Sequence, residues 1–312
     1  DRREPGDDLA PRATELILVN NMPSPGGNHN AGDVHFGKDG FLYISIGDGG
    51  TDWRGNSGSG GGNDAARDRH VLTGKILRIT RDGDIPASNP FQGAGTGRCN
   101  VTGATTVGNH CQETFSWGLR NPFRFAMDPN AVGTRFYIND VGQGTWEEVD
   151  EGQSGADYGW NVCEGRHNNG STSAGCSGAP AGSVFPVYEY PRGTVPGTTV
   201  SGCASITGGA FVPNGVWPAA YDSRYLVADY VCGAVFNIAT TGTPAAPVTT
   251  AIDFLTGLGV DSATSMRFGP NGGGVALYYT TFSSFGNGVD AIRRVRYEAS
   301  GNPMMLTISN VE

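Results

Sequence analysis

Charge is what this chain has least of. Only 16% of its 312 residues are Asp, Glu, Lys or Arg, against about 25% in an average soluble domain. Lysine is nearly missing: Lys38 and Lys75 are the two present, and arginine carries the remaining positive charge. The net charge of −9 argues against the basic surface that phosphate backbones require, so no nucleic-acid partner is expected. Mild acidity of this kind serves solubility and tolerates bound calcium. No run approaches the ~20 apolar residues of a membrane helix. No secretory leader is legible ahead of the charged opening DRREPGDD, and no long window repeats with the helical period. None of the six cysteines stands in a CxxC, which argues against tetrahedral zinc and thioredoxin-like chemistry. A nucleophile-elbow motif and a paired-carboxylate site are missing too, leaving a hydrolase without support.

What the chain has in quantity is glycine, 50 residues, with 18 prolines and 38% apolar side chains. Apolar clusters at regular spacing argue against disorder. Strands are predicted at 41–48 (FLYISIGD), 75–82 (KILRITRD), 135–141 (RFYINDV), 224–230 (RYLVADY), 234–240 (AVFNIAT), 275–282 (VALYYTTF) and 291–297 (AIRRVRY). Each is rich in β-branched or aromatic residues and bounded by Gly, Pro, Asn or Asp. Four stretches share one grammar: FGKDGFLYISI, FAMDPNAVGTRFYINDV, FVPNGVWPAAYDSRYLVADY and RFGPNGGGVALYYT. In each, an apolar residue enters a Pro/Asp/Asn/Gly turn and an aromatic-rich strand follows. Such a repeat fits the blades of a propeller, and fits the hairpins of a β-sandwich as well. Long Gly/Ser/Asn-rich loops lie at 49–64, 92–112 and 165–183; loops of this length in a compact domain carry function or lack order.

The even cysteine set reads as disulfides formed in an oxidising compartment, extracellular or periplasmic. Six cysteines allow fifteen pairings, of which we favour the local order, Cys99–Cys111, Cys163–Cys176 and Cys203–Cys232. Two sequons, Asn100-Val-Thr and Asn169-Gly-Ser, would accept glycans in a eukaryotic source.

Seven segments, in order, carry a resemblance: NHNAGDVHFGKDGFLYISIGDGG (28–50), GKILRITRDGDIPASNPF (74–91), WGLRNPFRFAMDP (117–129), NDVGQGTWEEVDEG (139–152), DYGWNVCEG (157–165), PVYEYP (186–191) and ITGGAFV (206–212). From about residue 28 to 297 the chain resembles the soluble glucose/sorbosone dehydrogenase family. The resemblance implies an all-β fold, a six-bladed β-propeller with its active site at the mouth of the central channel. It implies sugar oxidation with pyrroloquinoline quinone and calcium as cofactors. Family members carry roughly a blade or more upstream of the NHNAG-type segment, where about 27 residues stand here. Residues 1–27 are therefore read as part of an early blade or a linker, and 28–297 as the propeller. Residues 298–312, which lose the blade pattern, are read as a tail or the start of a linker. The missing strands would be absent, cleaved, or supplied by a second chain or segment, since an open ring exposes sheet edges.

By the same resemblance His29 matches the catalytic base. Oxidising a sugar hydroxyl takes a proton from oxygen while hydride leaves carbon, and an imidazole, titrating near neutrality, suits the first task. Taken without the family, His29 reads as a loop histidine between Asn28 and Asn30. Asp48 matches a carboxylate that orients the histidine, and otherwise reads as an Asp turn before Gly49-Gly50. Arg120 and Asn121 match residues facing the cofactor, a guanidinium there steadying negative charge on the quinone; the plainer alternative is a turn pinned by arginine. The carbonyls of Gly142 and Gln143 would hold the calcium that polarises the quinone. A second, structural calcium would use Glu148, the Tyr158 carbonyl and Glu164, oxygen ligands suited to a hard cation. Without the family, Glu147-Glu148 reads as a solvated acidic hairpin.

The other half of the expected site departs from the pattern. The family grips the quinone carboxylates with an Arg-x-Arg pair and a lysine. Here the pair aligns with Ser262 and Thr264, and the lysine position falls near Val231-Cys232. Arg267 is close, at a register whose side chain faces another way. Two functions follow from the resemblance. One is a secreted sugar or alcohol dehydrogenase acting on a small carbohydrate with an electron acceptor. The other is a non-catalytic extracellular binding or scaffold propeller with structural calcium.

Overall fold

Short runs of alternating apolar residues closed by glycine or aspartate fold here as antiparallel strands, four to a sheet. In this computed structural model the described residues are 15–23, 26–50, 65–259, 262–282, 291–298 and 305–311. Most of the 49–64 loop and of the 1–27 segment lies outside them. The first sheet is β1 (Ala31–Phe36), β2 (Leu42–Ile46), β3 (Lys75–Ile79) and, after the small pair β4 (Thr96–Gly97) and β5 (His110–Cys111), β6 (Thr114–Trp117). The second is β7 (Pro122–Met127), β8 (Phe136–Asp140), β9 (Trp146–Glu151) and, after β10 (Cys163–Glu164) and β11 (His167–Asn168), β12 (Tyr188–Pro191). The third runs β13 (Ile206–Phe211), β14 (Arg224–Asp229), β15 (Ala234–Ala239) and β16 (Ile252–Leu255). The fourth runs β17 (Ala263–Asn271), β18 (Gly274–Thr281), β19 (Ile292–Glu298) and β20 (Met305–Asn310). The outer strand β20 comes from the stretch 298–312, where no blade pattern was expected.

These sheets are propeller blades. β1 packs on β7, β7 on β13 and β13 on β17, so the first strand of every blade faces the axis. The four repeated sequences are the four inner hairpins, from the first strand into the second. Four blades of the expected six-bladed ring form among the described residues. Helical turns among them are brief, such as the single-turn pieces Ala65–Arg67 and Ala219–Tyr221.

The core lies between blades. Tyr43, Phe115, Phe125 and Phe136 fill the first junction. Tyr137, Tyr188, Tyr190, Tyr225 and Phe236 fill the second, and Leu226, Met266, Leu277 and Tyr279 the third. The inner strand β13 is buried at every position because a neighbour covers each face. Gly209 permits this: a Cβ there would stand 1.9 Å from the Tyr225 hydroxyl. Inner strands of adjacent blades share no sheet, and side chains tie their carbonyls instead: Arg124 donates to Gly32 (2.9 Å), Asn139 to Gly208 (2.9 Å) and Thr207 to Ala263 (2.7 Å). Three disulfides, Cys99–Cys111, Cys163–Cys176 and Cys203–Cys232, each join consecutive cysteines.

Candidate active site at the axial mouth

Each inner strand is irregular over its first residues: the register shifts between Ala31 and Val34, Pro122 and Arg124, Ile206 and Gly209, and Ala263 and Ser265. A bulge re-aims the backbone where a strand begins. These starts all lie at one end of the axis, and the segments leading into them carry His29 and Arg120-Asn121.

At or just past the end of the second strand, the first three blades place an aspartate: Asp48, Asp140 and Asp229. Each is buried and accepts backbone N–H groups. Asp140 takes those of Arg120 (2.9 Å) and Asn121 (2.6 Å). Asp229 takes those of Ala204, Ser205, Val231 and Cys232, and the Tyr190 hydroxyl. Asp48 takes the Gly50 N–H (2.9 Å), and it alone of the three also meets a histidine: its Oδ1 lies 2.6 Å from His29 Nδ1. Its Oδ2 accepts the Trp160 indole N–H at 2.9 Å. Asp48 is wholly buried and the His29 side chain 9% exposed, so the ring is held largely out of solvent. His29 itself has a left-handed backbone, φ 48°, a conformation that side chains other than glycine adopt rarely.

Arg120 joins this dyad by two routes. Its carbonyl accepts the Asp48 N–H at 2.8 Å, and its guanidinium lies 5.5 Å from the centre of the Trp160 ring that bonds Asp48. Its Nη1 donates to the carbonyls of Val141 (2.9 Å) and Gly142 (2.7 Å), while its Nε is buried without a partner. Burial lowers the Arg120 pKa, with Asp48 and Asp140 opposing. Burial also lifts Asp140 to about 6 against the bonds from Arg120 and Asn121. His29, Asp48, Arg120 and the Asn121 backbone thus come to one mouth. Trp160, Asp140, Glu147 and Arg192 complete it, and sequence reasoning gave none of them a role there. Trp160 lies within the DYGWNVCEG segment and Asp140 and Glu147 within NDVGQGTWEEVDEG, while Arg192 directly follows PVYEYP.

The expected cofactor ligands are placed differently. The Gly142 carbonyl, expected on calcium, accepts from two cations, Arg120 Nη1 and Arg192 Nη2, each at 2.7 Å. Arg192 Nε also bonds Glu147 at 2.9 Å. Glu147 is fully buried, and burial raises it to about 7 despite Arg192. Gln143 is exposed, its N–H held by Glu164. Glu164 serves as an anchor for that turn: one oxygen accepts the N–H groups of Gln143, Gly144, Thr145 and Trp146, and the other the Thr145 hydroxyl. Burial would raise its pKa, but the Thr145 hydroxyl and these amides bring it below the usual value. Ser262 donates to the Asp229 carbonyl (3.0 Å) and Thr264 to Thr280, both buried. Arg267 turns away to Asp33 (2.9 Å) and His35 of the first blade. A calcium-seated quinone therefore does not fit the residues present: the carbonyl it needs is satisfied by guanidinium groups, and no cation among the described residues stands where its carboxylates would be held.

The second blade holds further carboxylates. Glu147-Glu148, the alternative acidic hairpin, is buried inside the second blade. Register puts Asp140, Glu148 and Glu189 side by side on one face, with Asp150 two residues along the same strand. Burial and mutual repulsion raise Glu148 and Asp150 well above the carboxylate range. Both Asp150 oxygens are buried without a hydrogen bond. Tyr158, expected to offer its carbonyl, sits within electrostatic reach of Asp150, its hydroxyl donating to Glu151. These oxygen donors suit calcium. The groupings Cys99–Cys111–Glu113 and Cys203–Asp229–Cys232 are no metal sites, because their sulfurs are in disulfides.

Comparison with known proteins agrees with this architecture. The profile of the family described as Glucose / Sorbosone dehydrogenase matches residues 3–227. HIPL1 protein of Arabidopsis thaliana is 32% identical over 279 residues, 86% of this chain and 38% of its own length. Aldose sugar dehydrogenase YliI of Escherichia coli K12 is 31% identical over 157 residues, 49% of this chain and 35% of its own length. The chain thus spans little more than a third of these curated relatives. Among solved structures, a glucose dehydrogenase-type oxidoreductase from Thermus thermophilus superposes with TM-score 0.61 at 26% identity, covering 88% of this chain and 67% of that one. The PQQ-bound aldose sugar dehydrogenase of Streptomyces coelicolor shares the fold, with TM-score 0.57 at 22% identity over 93% of this chain and 64% of that one.

Proposed function

Because the chain belongs to the glucose/sorbosone dehydrogenase family, we propose that it is a secreted, carbohydrate-directed oxidoreductase in which His29 takes the proton of a sugar hydroxyl at the axial mouth. The observation that carries this reading is the His29–Asp48 contact of 2.6 Å, backed by the Trp160 indole. Asp48, held on its other oxygen by a donor, fixes the Nδ1–H tautomer and leaves Nε2 free to accept a proton. As hydride leaves carbon, the imidazolium formed is stabilised by the buried carboxylate, and the nearby Arg120 guanidinium favours negative charge on the acceptor side. The acceptor would dock in a mode other than the calcium-seated quinone, for which the residues do not fit. Structural calcium at Glu148 and Asp150, near Tyr158, would hold the second blade. Three disulfides support an oxidising compartment, and no helix among the described residues is long and apolar enough to cross a membrane.

The test is dye reduction by a panel of aldoses and alcohols, with and without pyrroloquinoline quinone and calcium, alongside His29→Gln. Turnover that vanishes in the variant supports the reading. A second reading, a non-catalytic binding module, draws on the buried, cation-free Ser262 and Thr264. Sugar binding without turnover under any acceptor decides for it.

A further inference from the structure

Two of the long loops marked in the sequence, 92–112 and 165–183, border a cavity of about 440 Å³ beside the outer strand β6. None of its lining residues belongs to the axial mouth, so a ligand held there does not depend on the dehydrogenase reading. Its volume lies within the roughly 300–1,000 Å³ of small-ligand sites. The floor is Trp117, which is buried, and two guanidinium groups lie over its ring: Arg67 at 4.5 Å and Arg69 at 5.1 Å from the centre. Arg67 is met by Asp157 through both nitrogens of its fork. Arg69 is exposed, and no carboxylate among the described residues pairs with it. One wall is an aromatic pair, His110 lying flat on Phe91 at 3.9 Å and 3°, edge-on to Trp117 at 5.9 Å. Burial, with Arg69 and Lys75, lowers His110 to about 4, so at neutral pH it is an uncharged ring.

Among the described residues, the groove therefore offers a flat apolar face beside a single uncompensated cation. Two guanidinium groups over one indole repel, and Asp157 relieves only one of them. A carboxylate on Arg69 would relieve the other in bidentate geometry. One net charge suits a monoanion better than a phosphate. The C–H face of a pyranose loses apolar surface to water against an aromatic ring.

We propose that this groove binds an acidic pyranose of the uronate type, its carboxylate on Arg69 and its ring against the Phe91–His110 pair. The test is calorimetric titration with tetragalacturonate at low salt, beside neutral maltotetraose. The expected result is uronate binding that weakens tenfold or more in Arg69→Gln and in Phe91→Ala and is unchanged in His29→Gln. Arg69 is exposed, so its replacement leaves folding intact. Equal affinity for the neutral sugar, no binding of either, or uronate binding indifferent to Arg69→Gln would overturn the proposal. Binding lost in His29→Gln and kept in Arg69→Gln would also overturn it, by moving the uronate to the axial mouth.

Discussion

An aspartate at or just past the end of the second strand recurs in three of the described blades, and Asp48 differs from the other two in meeting a histidine and an indole. Asp140 and Asp229 spend their oxygens on backbone N–H groups, Asp229 also on the Tyr190 hydroxyl, while Asp48 divides its own among the Gly50 amide, an imidazole and an indole. Asp48→Asn should retain the fold and lower turnover by about 10²–10⁴-fold, measured as kcat for dye reduction, because the imidazole loses the charge that fixes its tautomer. Trp160→Phe should lower stability by about 1–3 kcal/mol in urea unfolding, since a buried carboxylate oxygen loses its donor. His110 supplies a pH dependence. Its folded pKa, about 4, lies below the free value of 6.5, so the unfolded chain binds more protons between the two. Its contribution to stability is present above pH 6.5 and is lost as pH falls toward 4. Unfolding midpoints of His110→Asn, measured from pH 7.5 to 4.5, should show a shallower decline than the parent.

Among elements, the inner strands depend on small residues, and the disulfides staple the segments that connect strands. Gly209 in β13 faces the Tyr225 hydroxyl, and Gly209→Ala should destabilise by about 1–3 kcal/mol in a denaturant titration through overpacking. The third disulfide closes a 29-residue separation that spans β13 and β14. Cys203→Ser with Cys232→Ser should therefore cost about 3–4 kcal/mol. The strands with aromatic and β-branched alternation were legible from sequence, as were the four inner hairpins. β9 was not: its charges, WEEVDE, read as a surface, and it became a buried strand because β8 and β12 pair with it on both sides. β20 was missed although it pairs with the strand just before it in sequence, because Met305–Asn310 carries none of the aromatic residues that marked the other strands.

At the scale of the molecule, blades hold to one another by aromatic cores and by side chains that cap their neighbours' carbonyls, and the carboxylate cluster of the second blade opposes that order with buried like charge. Calcium should raise the melting temperature. At a hundredfold excess over its Kd the gain is about 2.7 kcal/mol. Asp150→Asn should remove the calcium dependence and, with no calcium added, unfold no earlier than the parent, a comparison that differential scanning calorimetry makes directly.

By itself the sequence determined the β architecture, the repeat of its hairpins and the candidates His29, Asp48 and Arg120, because hydrophobic alternation, turn residues and the family's motifs are local in the chain. Only the tertiary structure decided that Trp160 binds Asp48, that Arg192 shares the Gly142 carbonyl with Arg120, and that Glu164 anchors a turn. Those outcomes depend on which donors surround an oxygen once distant segments meet, and neither spacing nor composition records which donor arrives.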